Sequence, residues 1–474
     1  MKDAIVKITT NDRVSDEENT LSQYSGAYPP SLVVWPTSTE EIAKIVKWAN
    51  ENATSLVPVS SAGPKLRRSS LPKVEGTVVL DMSKMNKILR IDSENKVAMV
   101  EPGVTYDILI RELKKEGLRP LMPLLPKASK SVLASCLDRE PITTPRFHWD
   151  TPDPLLCTET VFGTGDIFRT GAAAGPGTLE EQWKSGQAQK NPQGPSQFDP
   201  YRLIQGSQGT IGIVSWISMK CEMLPDAQQF LLAQADDIEV FQDFNYSLFR
   251  RRLADEHFML NSAGLSAALG SKKQLPPWTL ILGVSGHGTI ADEELDYRLG
   301  DIKDIARDTD VKLEENLKDV KSSEIESLLN RASKVPYWKV RAKGECLEVM
   351  FTTTLDRVQE FYHIFLDFAK DIGFPVDQIG AYVQPMVQGT NTHVGFDLYY
   401  SLDDLMEQAI ELVAKGQKKL LDEGAYFSRP YGLFTDAVFE KASPLTVDAM
   451  KRVKAIFDPN NILNPGTLCF KEVP

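Results

Sequence analysis

The chain has no run of about 20 apolar residues, the length a membrane-spanning helix needs. Its most apolar stretch, around Trp278–Val284, is short and follows Pro276-Pro277, so a soluble chain without a membrane span is expected. Paired cysteines are also missing. The five, Cys136, Cys157, Cys221, Cys346 and Cys469, form no C-x-x-C, which argues against a disulfide framework or a zinc site and for buried reduced thiols. Positive charge is in deficit: 53 Lys and Arg against 65 Asp and Glu give a net charge of −12, which repels nucleic acid. No nucleic-acid partner is expected. The first residues, Met1-Lys2-Asp3-Ala4-Ile5-Val6-Lys7, lack the apolar core of a secretory signal, and a cytoplasmic location is expected.

What is present is globular. With 474 residues, 42% hydrophobic and 25% charged, the chain is long enough for two or three domains with real cores, and a disordered or fibrous polymer is excluded. Ser31–Pro36 reads as a short strand. Thr37-Ser38-Thr39-Glu40-Glu41 caps a helix carrying Ile42, Ile45, Val46 and Ala49 at helical spacing. Leu56–Ser60, Gly76–Asp81 and Val97–Glu101 read as strands and Thr105–Glu116 as an amphipathic helix, which makes the N-terminal part a mixed α/β unit. Met122–Gly194 is rich in turn residues and shows one strand pair, Thr158–Phe162 with Asp166–Arg169. After a strand at Ile211–Met219, Pro225-Asp226 reads as a linker. Beyond it, helices are predicted at Ala291–Thr309, Asp356–Ile372, Leu402–Glu423 and Pro444–Phe457, and strands near Leu280–Val284, Leu347–Thr353 and His393–Tyr400.

Six separated blocks together resemble the FAD-linked oxidoreductases of the vanillyl-alcohol oxidase and p-cresol methylhydroxylase family. They are Val57-Pro58-Val59-Ser60, Gly76–Asn86, Val100-Glu101-Pro102-Gly103-Val104-Thr105-Tyr106, Ile167-Phe168-Arg169-Thr170-Gly171, Gln208–Val214 and the terminal Phe457–Gly466, and they fall in the family's order. The resemblance implies an α+β chain. A split, two-subdomain FAD-binding domain would span 1–225, an α/β substrate cap domain 226–420, and a C-terminal segment, 421–474, would return to the FAD domain.

The resemblance also implies site residues. Where the family sets a glycine-rich loop against the pyrophosphate, this chain reads Ser60-Ser61-Ala62-Gly63-Pro64-Lys65-Leu66-Arg67-Arg68-Ser69-Ser70. One glycine is kept and Pro64 removes an amide donor. Lys65, Arg67 and Arg68 either bring charge in place of amides or form a solvated basic loop. Ser60, Ser61, Ala62, Gly63 and Lys65 are cofactor-binding candidates, together with Pro102. A second flavin-contacting stretch keeps Ser131, Val132 and Leu133 but has lost its glycines. The segment Gly206–Ile213 keeps Gly206, Gly209 and Gly212, which with Ile213 match the part of the family that packs on the adenosine diphosphate side.

Arg429 matches an arginine that would stabilise negative charge on a reduced flavin; a structural ion pair is the alternative. The adjacent family tyrosine is replaced by Ser428, a substrate-contact candidate, and Tyr431 joins Arg429 as a catalytic candidate. The tyrosine with which that family holds a phenolate aligns on Arg67, so a para-alkylphenol is not expected and Arg67 becomes a substrate candidate. His393 matches an active-site histidine, or is a histidine satisfied inside the cap. In Pro145-Arg146-Phe147-His148-Trp149-Asp150, Asp150 and His148 are equal candidates for a base beside the flavin. Gly344–Phe351, where relatives attach FAD, has neither histidine nor tyrosine, so noncovalent FAD is expected.

Two readings stay open. In the first, the chain is a FAD-dependent dehydrogenase taking a hydride from a small hydroxyl-bearing substrate, anionic or aromatic, and passing electrons to a protein acceptor. In the second it holds no flavin and assembles with a catalytic paralogous flavoprotein. An oligomer is expected in either case.

Overall fold

The computed structural model describes residues 1–63, 66, 70–145, 154–194, 199–271, 273, 275–386 and 391–471, the side chain of Leu433 excepted. The first sheet has the order β1(Val14–Ser15), β2(Leu32–Val34), β4(Val78–Asp81), β3(Leu56–Val59). β2, β4 and β3 run parallel, and β1 adds antiparallel to β2. A parallel pair needs a crossover, and the Thr39–Glu51 helix supplies it between β2 and β3. Ser38 Oγ caps that helix by accepting from Glu41 N at 3.2 Å. Ile42, Ile45, Val46 and Ala49 are buried together with Leu32, Val34 and Val78 of the sheet, as their helical spacing requires.

The second sheet runs β5(Ile88–Asp92), β6(Val97–Val100), β10(Gly212–Met223), β8(Leu155–Phe162), β9(Ile167–Arg169), and β7(Leu118–Pro120) also pairs with β10. The expected β8–β9 hairpin is present, with Thr160 opposite Phe168. Met122–Gly194 is less loop-like than its composition suggests, since it also contains the helices Val132–Leu137 and Leu179–Lys184. Both are short, and their apolar residues are too few to show a period.

β10 ends at Met223, and the next strand, after Pro225-Asp226, belongs to a third sheet. Its members are β11(Ala227–Ala235), β12(Glu256–Asn261), β13(Trp278–Gly286), β16(Glu345–Thr353), β17(Ile379–Met386) and β18(Asn391–Tyr400), in the order β11-β13-β12-β17-β18-β16. A two-stranded ribbon, β14(Asn316–Leu317) and β15(Val320–Lys321), lies in the connection between β13 and β16. The helices Ala291–Asp308 and Val358–Asp371 fall within a residue or two of expectation. The expected Leu402–Glu423 helix begins only at Met406 and carries a π-type turn at Leu412–Gly416. Strands β11, β12 and β17 and the helices Gln242–Arg251 and Ser262–Leu269 are additions to the sequence reading.

The C-terminal tail crosses back onto the first sheet. Leu56 N donates to Ile462 O at 2.7 Å, and Asn464 N donates to Leu56 O at 2.8 Å. Ala425–Phe427 belongs with the third sheet, where Tyr426 pairs with Thr352, and Phe434 packs in the same core. All five cysteines are buried, and none is in a disulfide. No described helix is long and apolar enough to cross a membrane.

Candidate functional site

A cavity of about 300 Å³ is lined on one side by the first two sheets and their loops and on the other by the third sheet. On the first side stand Ser60, Ser61 and Ala62 beyond the end of β3, Pro102 after β6, Leu133 in the Val132–Leu137 helix, and Gly209, Gly212 and Ile213 before and in β10. The opposite wall carries His393, Gly395 and Asp397 of β18, Glu348 of β16 and Tyr382 of β17. Strand alternation explains the β18 set: residues two apart share a face, so 393, 395 and 397 point one way.

The first wall is held by its own polar groups. Ser131 N donates to Ser61 Oγ at 2.9 Å, and Ser131 Oγ accepts from Ala134 N at 3.1 Å. Val132 N donates to Val104 O at 3.0 Å, and Lys127 Nζ donates to Ala62 O. Ser131 and Val132 therefore lie behind the lining and fix Ser61 and Leu133 on it. Gly209 has φ +74°, and a Cβ there would stand 2.7 Å from Pro58 Cγ, itself a lining residue. At Gly212 a Cβ would meet Thr160 Cγ2 at 2.4 Å. Gly209 thus lets the backbone reach the cavity edge beside Pro58, while Gly212 lets β10 pack closely on Thr160 of β8. Gly206, also left-handed, lies off the described lining and donates its N–H to Leu137 O at 2.8 Å. Gly63 lies off it too, and a Cβ there would meet nothing within 4 Å.

Arg429 is buried, 6% exposed, and stands behind the wall, with Nη1 donating to the main-chain oxygen of the lining residue Asp138 at 3.0 Å. Ser428 and Tyr431 are half-buried and, like Arg429, do not line the described cavity. Gln208 Nε2 donates to Pro430 O at 2.8 Å, tying this segment to the glycine turn. His393 is 4% exposed and lines the cavity, its ring centroid 6.0 Å from that of Tyr382. Lys65, Arg67, His148 and Asp150 fall outside the described residues.

Two clusters of charge on the walls were not anticipated. On the first side, Lys130 pairs with Asp138 and Glu140, both at 3.1 Å. On the other, Lys339 Nζ lies 2.6 Å from Glu348 Oε1 and 2.7 Å from Asp397 Oδ1. Burial pulls the Lys339 pKa down, but Asp397 and Glu348 outweigh it and hold the ammonium well above the usual lysine range. Asp397 had a signal, since it lies four residues after His393 on an alternating strand. Lys339 had none, because its partners are supplied by two distant strands. Tyr382 also lines the cavity, although Gly344–Phe351 has neither tyrosine nor histidine. Its hydroxyl donates to Gln384 Oε1 at 2.8 Å, and burial pushes its pKa up, which keeps the phenol protonated.

A FAD binding domain model matches residues 30–134, and a model for the C-terminal domain of FAD linked oxidases matches residues 429–468. Both matched segments are similar to domains of FAD-linked oxidases. It is 26% identical to a D-lactate dehydrogenase of Anaerostipes hadrus over 471 residues, covering 94% of this chain and 91% of that protein. Its fold is that of 4-ethylphenol oxidase from Gulosibacter chungangensis, with TM-score 0.83, 19% identity and coverage of 99% of this chain and 96% of the other. p-Cresol methylhydroxylase superposes with TM-score 0.81, also at 19% identity, over 99% and 96% of the two chains.

The residues lining the cavity fit FAD, the group that the matched domain binds. Gly209 closes against the lining residue Pro58, where a Cβ would press, and the cavity that Gly209 and Gly212 border reaches from Ser60–Ala62 to the third sheet. No group of three or more His, Cys, Asp or Glu side chains that would hold a metal ion occurs among the described residues.

Proposed function

We propose that the chain is a FAD-dependent dehydrogenase that oxidises a small hydroxyl-bearing substrate in this cavity, with FAD held noncovalently. The observation that carries the reading is the cavity between a backbone-rich wall and a wall of ionisable side chains, since eight of the anticipated cofactor contacts and His393 line it together. Ser60, Ser61, Ala62, Pro102, Leu133, Gly209, Gly212 and Ile213 would hold FAD, and bound FAD would supply the two-electron acceptor. His393 bonds a polar group of the substrate from the third sheet. Arg429 braces the wall at Asp138 and sets a guanidinium one residue behind the site. Tyr337, Trp338 and Tyr382 offer apolar, aromatic surface to the organic part of a substrate, and Arg67 is the proposed contact for an anionic one. The hydroxyl of Tyr382 is held by Gln384 and stays protonated, which favours noncovalent binding. Electrons would leave to a protein acceptor.

A visible absorption spectrum of the purified protein tests the reading. Flavin bands are expected, and acid precipitation should release the flavin into the supernatant. A colourless preparation that takes up no added FAD overturns it, and flavin retained in the pellet overturns noncovalent attachment. One observation favours the second reading, a flavin-less assembly subunit: the Ser131, Val132 and Ala134 amides already serve protein acceptors. The same spectrum decides between the two.

A further inference from the structure

The register of the third sheet sets Glu348 on β16 directly opposite Asp397 on β18. Their side chains are 8% and 9% exposed. Like charges directly opposite on neighbouring strands destabilise a sheet, and burial adds to the cost. Lys339 offsets it by donating to both. Through this shared ammonium the two acceptor oxygens come within about 5 Å of each other, a separation at which two buried carboxylates without a cation do not both ionise. A well-packed apolar set would serve the sheet as well or better. The cluster nevertheless stands on the cavity wall, and Gly395, between Asp397 and His393 on that face, leaves room for the His393 ring, whose Nε2 would stand 3.6 Å from a Cβ there.

We propose that Lys339 is a positioning residue for the reaction: it holds Asp397 ionised on the cavity wall, where that carboxylate accepts the proton of the substrate hydroxyl. This rests on the dehydrogenase reading above. The substrate O–H bond breaks, its proton bonds to a carboxylate oxygen of Asp397, and the electron pair left on oxygen becomes part of the new C=O bond. Loss of the carbon-bound hydrogen with its electron pair is the half that the reading assigns to bound FAD. The other titratable groups about the cluster include Tyr337, Cys346 on β16 with Glu345 near it, Tyr382 on β17, and Tyr399 and His393 on β18. Burial pushes the three tyrosines and Cys346 up, so these four stay protonated. Glu140 faces Tyr337 from the first side and is paired with Lys130.

The test compares binding of 1-phenylethanol with that of its methyl ether, which has no hydroxyl proton, by calorimetry on the protein as purified. The parent should prefer the alcohol on the order of tenfold, the effect of one hydrogen bond to a charged acceptor. Asp397→Asn and Lys339→Met should cut that preference, and Lys339→Arg should keep it. In Lys339→Met the pH below which the preference disappears should also rise by about one unit or more. If Lys339→Met does not fold, Lys339→Met combined with Glu348→Gln carries one buried charge fewer and gives the same comparison. Equal binding of alcohol and ether by the parent, or a preference unchanged by Asp397→Asn, overturns the proposal. Absence of flavin overturns the dehydrogenase reading instead, and the heat of binding still decides whether Lys339 and Asp397 recognise a hydroxyl.

Discussion

Arg429 donates from Nη1 to the main-chain oxygen of Asp138 at 3.0 Å, joining segments 291 residues apart. Asp138 lines the cavity and pairs with Lys130, so the guanidinium of a nearly inaccessible arginine supports a charged wall from behind. The brace gives Arg429 a structural duty whatever it does for a cofactor.

Two losses should therefore follow Arg429→Ala. Denaturant unfolding should show about 1.5–3 kcal/mol less stability, the cost of a charge-assisted hydrogen bond. Stopped-flow flavin reduction should slow by an amount equivalent to about 2–4 kcal/mol, as when a donor to developing negative charge is removed. Parent-like reduction in a destabilised variant would leave Arg429 with the brace alone.

Gly209→Ala should lower flavin content in the purified protein. The position has φ +74°, and its new Cβ would press on Pro58 at 2.7 Å, at the cavity edge. Both strain and obstruction act in the folded state, so added FAD should restore the flavin bands only at higher concentration than for the parent. Spectrophotometric titration with FAD checks this.

Lys454 joins the C-terminal tail to the glycine turn. It donates to Asp458, to Thr210 O at 2.6 Å and to Leu463 O at 3.0 Å. Lys454→Met leaves the buried Asp458 carboxylate without its cation, and a loss of about 3–5 kcal/mol is expected in denaturant unfolding. Lys454→Met with Asp458→Asn should recover part of that loss.

His257 makes stability depend on pH. It is buried against Phe249, bonds Asn245 Oδ1 at 2.7 Å, and burial pulls its pKa down to about 3. The unfolded chain, with a pKa near the ordinary 6.5, binds the proton first. Its contribution is present above about pH 6.5 and is lost as pH falls toward 3, at up to about 1.4 kcal/mol per pH unit. In His257→Gln the slope of stability between pH 6 and 4 should be shallower, as measured by urea unfolding at each pH.

The β2–helix–β3 unit and the β8–β9 hairpin were legible because each rests on local rules: a capped helix with a 3.6-residue period, or two short runs about a glycine turn. Strands β11, β12 and β17 were not. Phe230, Leu231, Leu232 and Ala233 of β11 are all buried, as are all six residues of β12, so apolar and polar residues do not alternate there. The first wall of the site was legible as residue blocks that resemble a family, from Ser60 to Ile213. Within those blocks, which residues face the cavity and which support it depended on packing: Ser131 and Gly206 turned out to stand behind Ser61 and Leu137.

Composition and periodicity were enough for the mixed architecture, and the order of short blocks for the resemblance to FAD-linked oxidoreductases, because these features act over a few residues at a time. The meeting of Lys339 with Glu348 and Asp397, and of Arg429 with Asp138, belongs to the tertiary structure. Charged side chains carry no record in sequence of their distant partners, and the pairing exists only once sheet register and burial bring them together and make an unpaired charge costly.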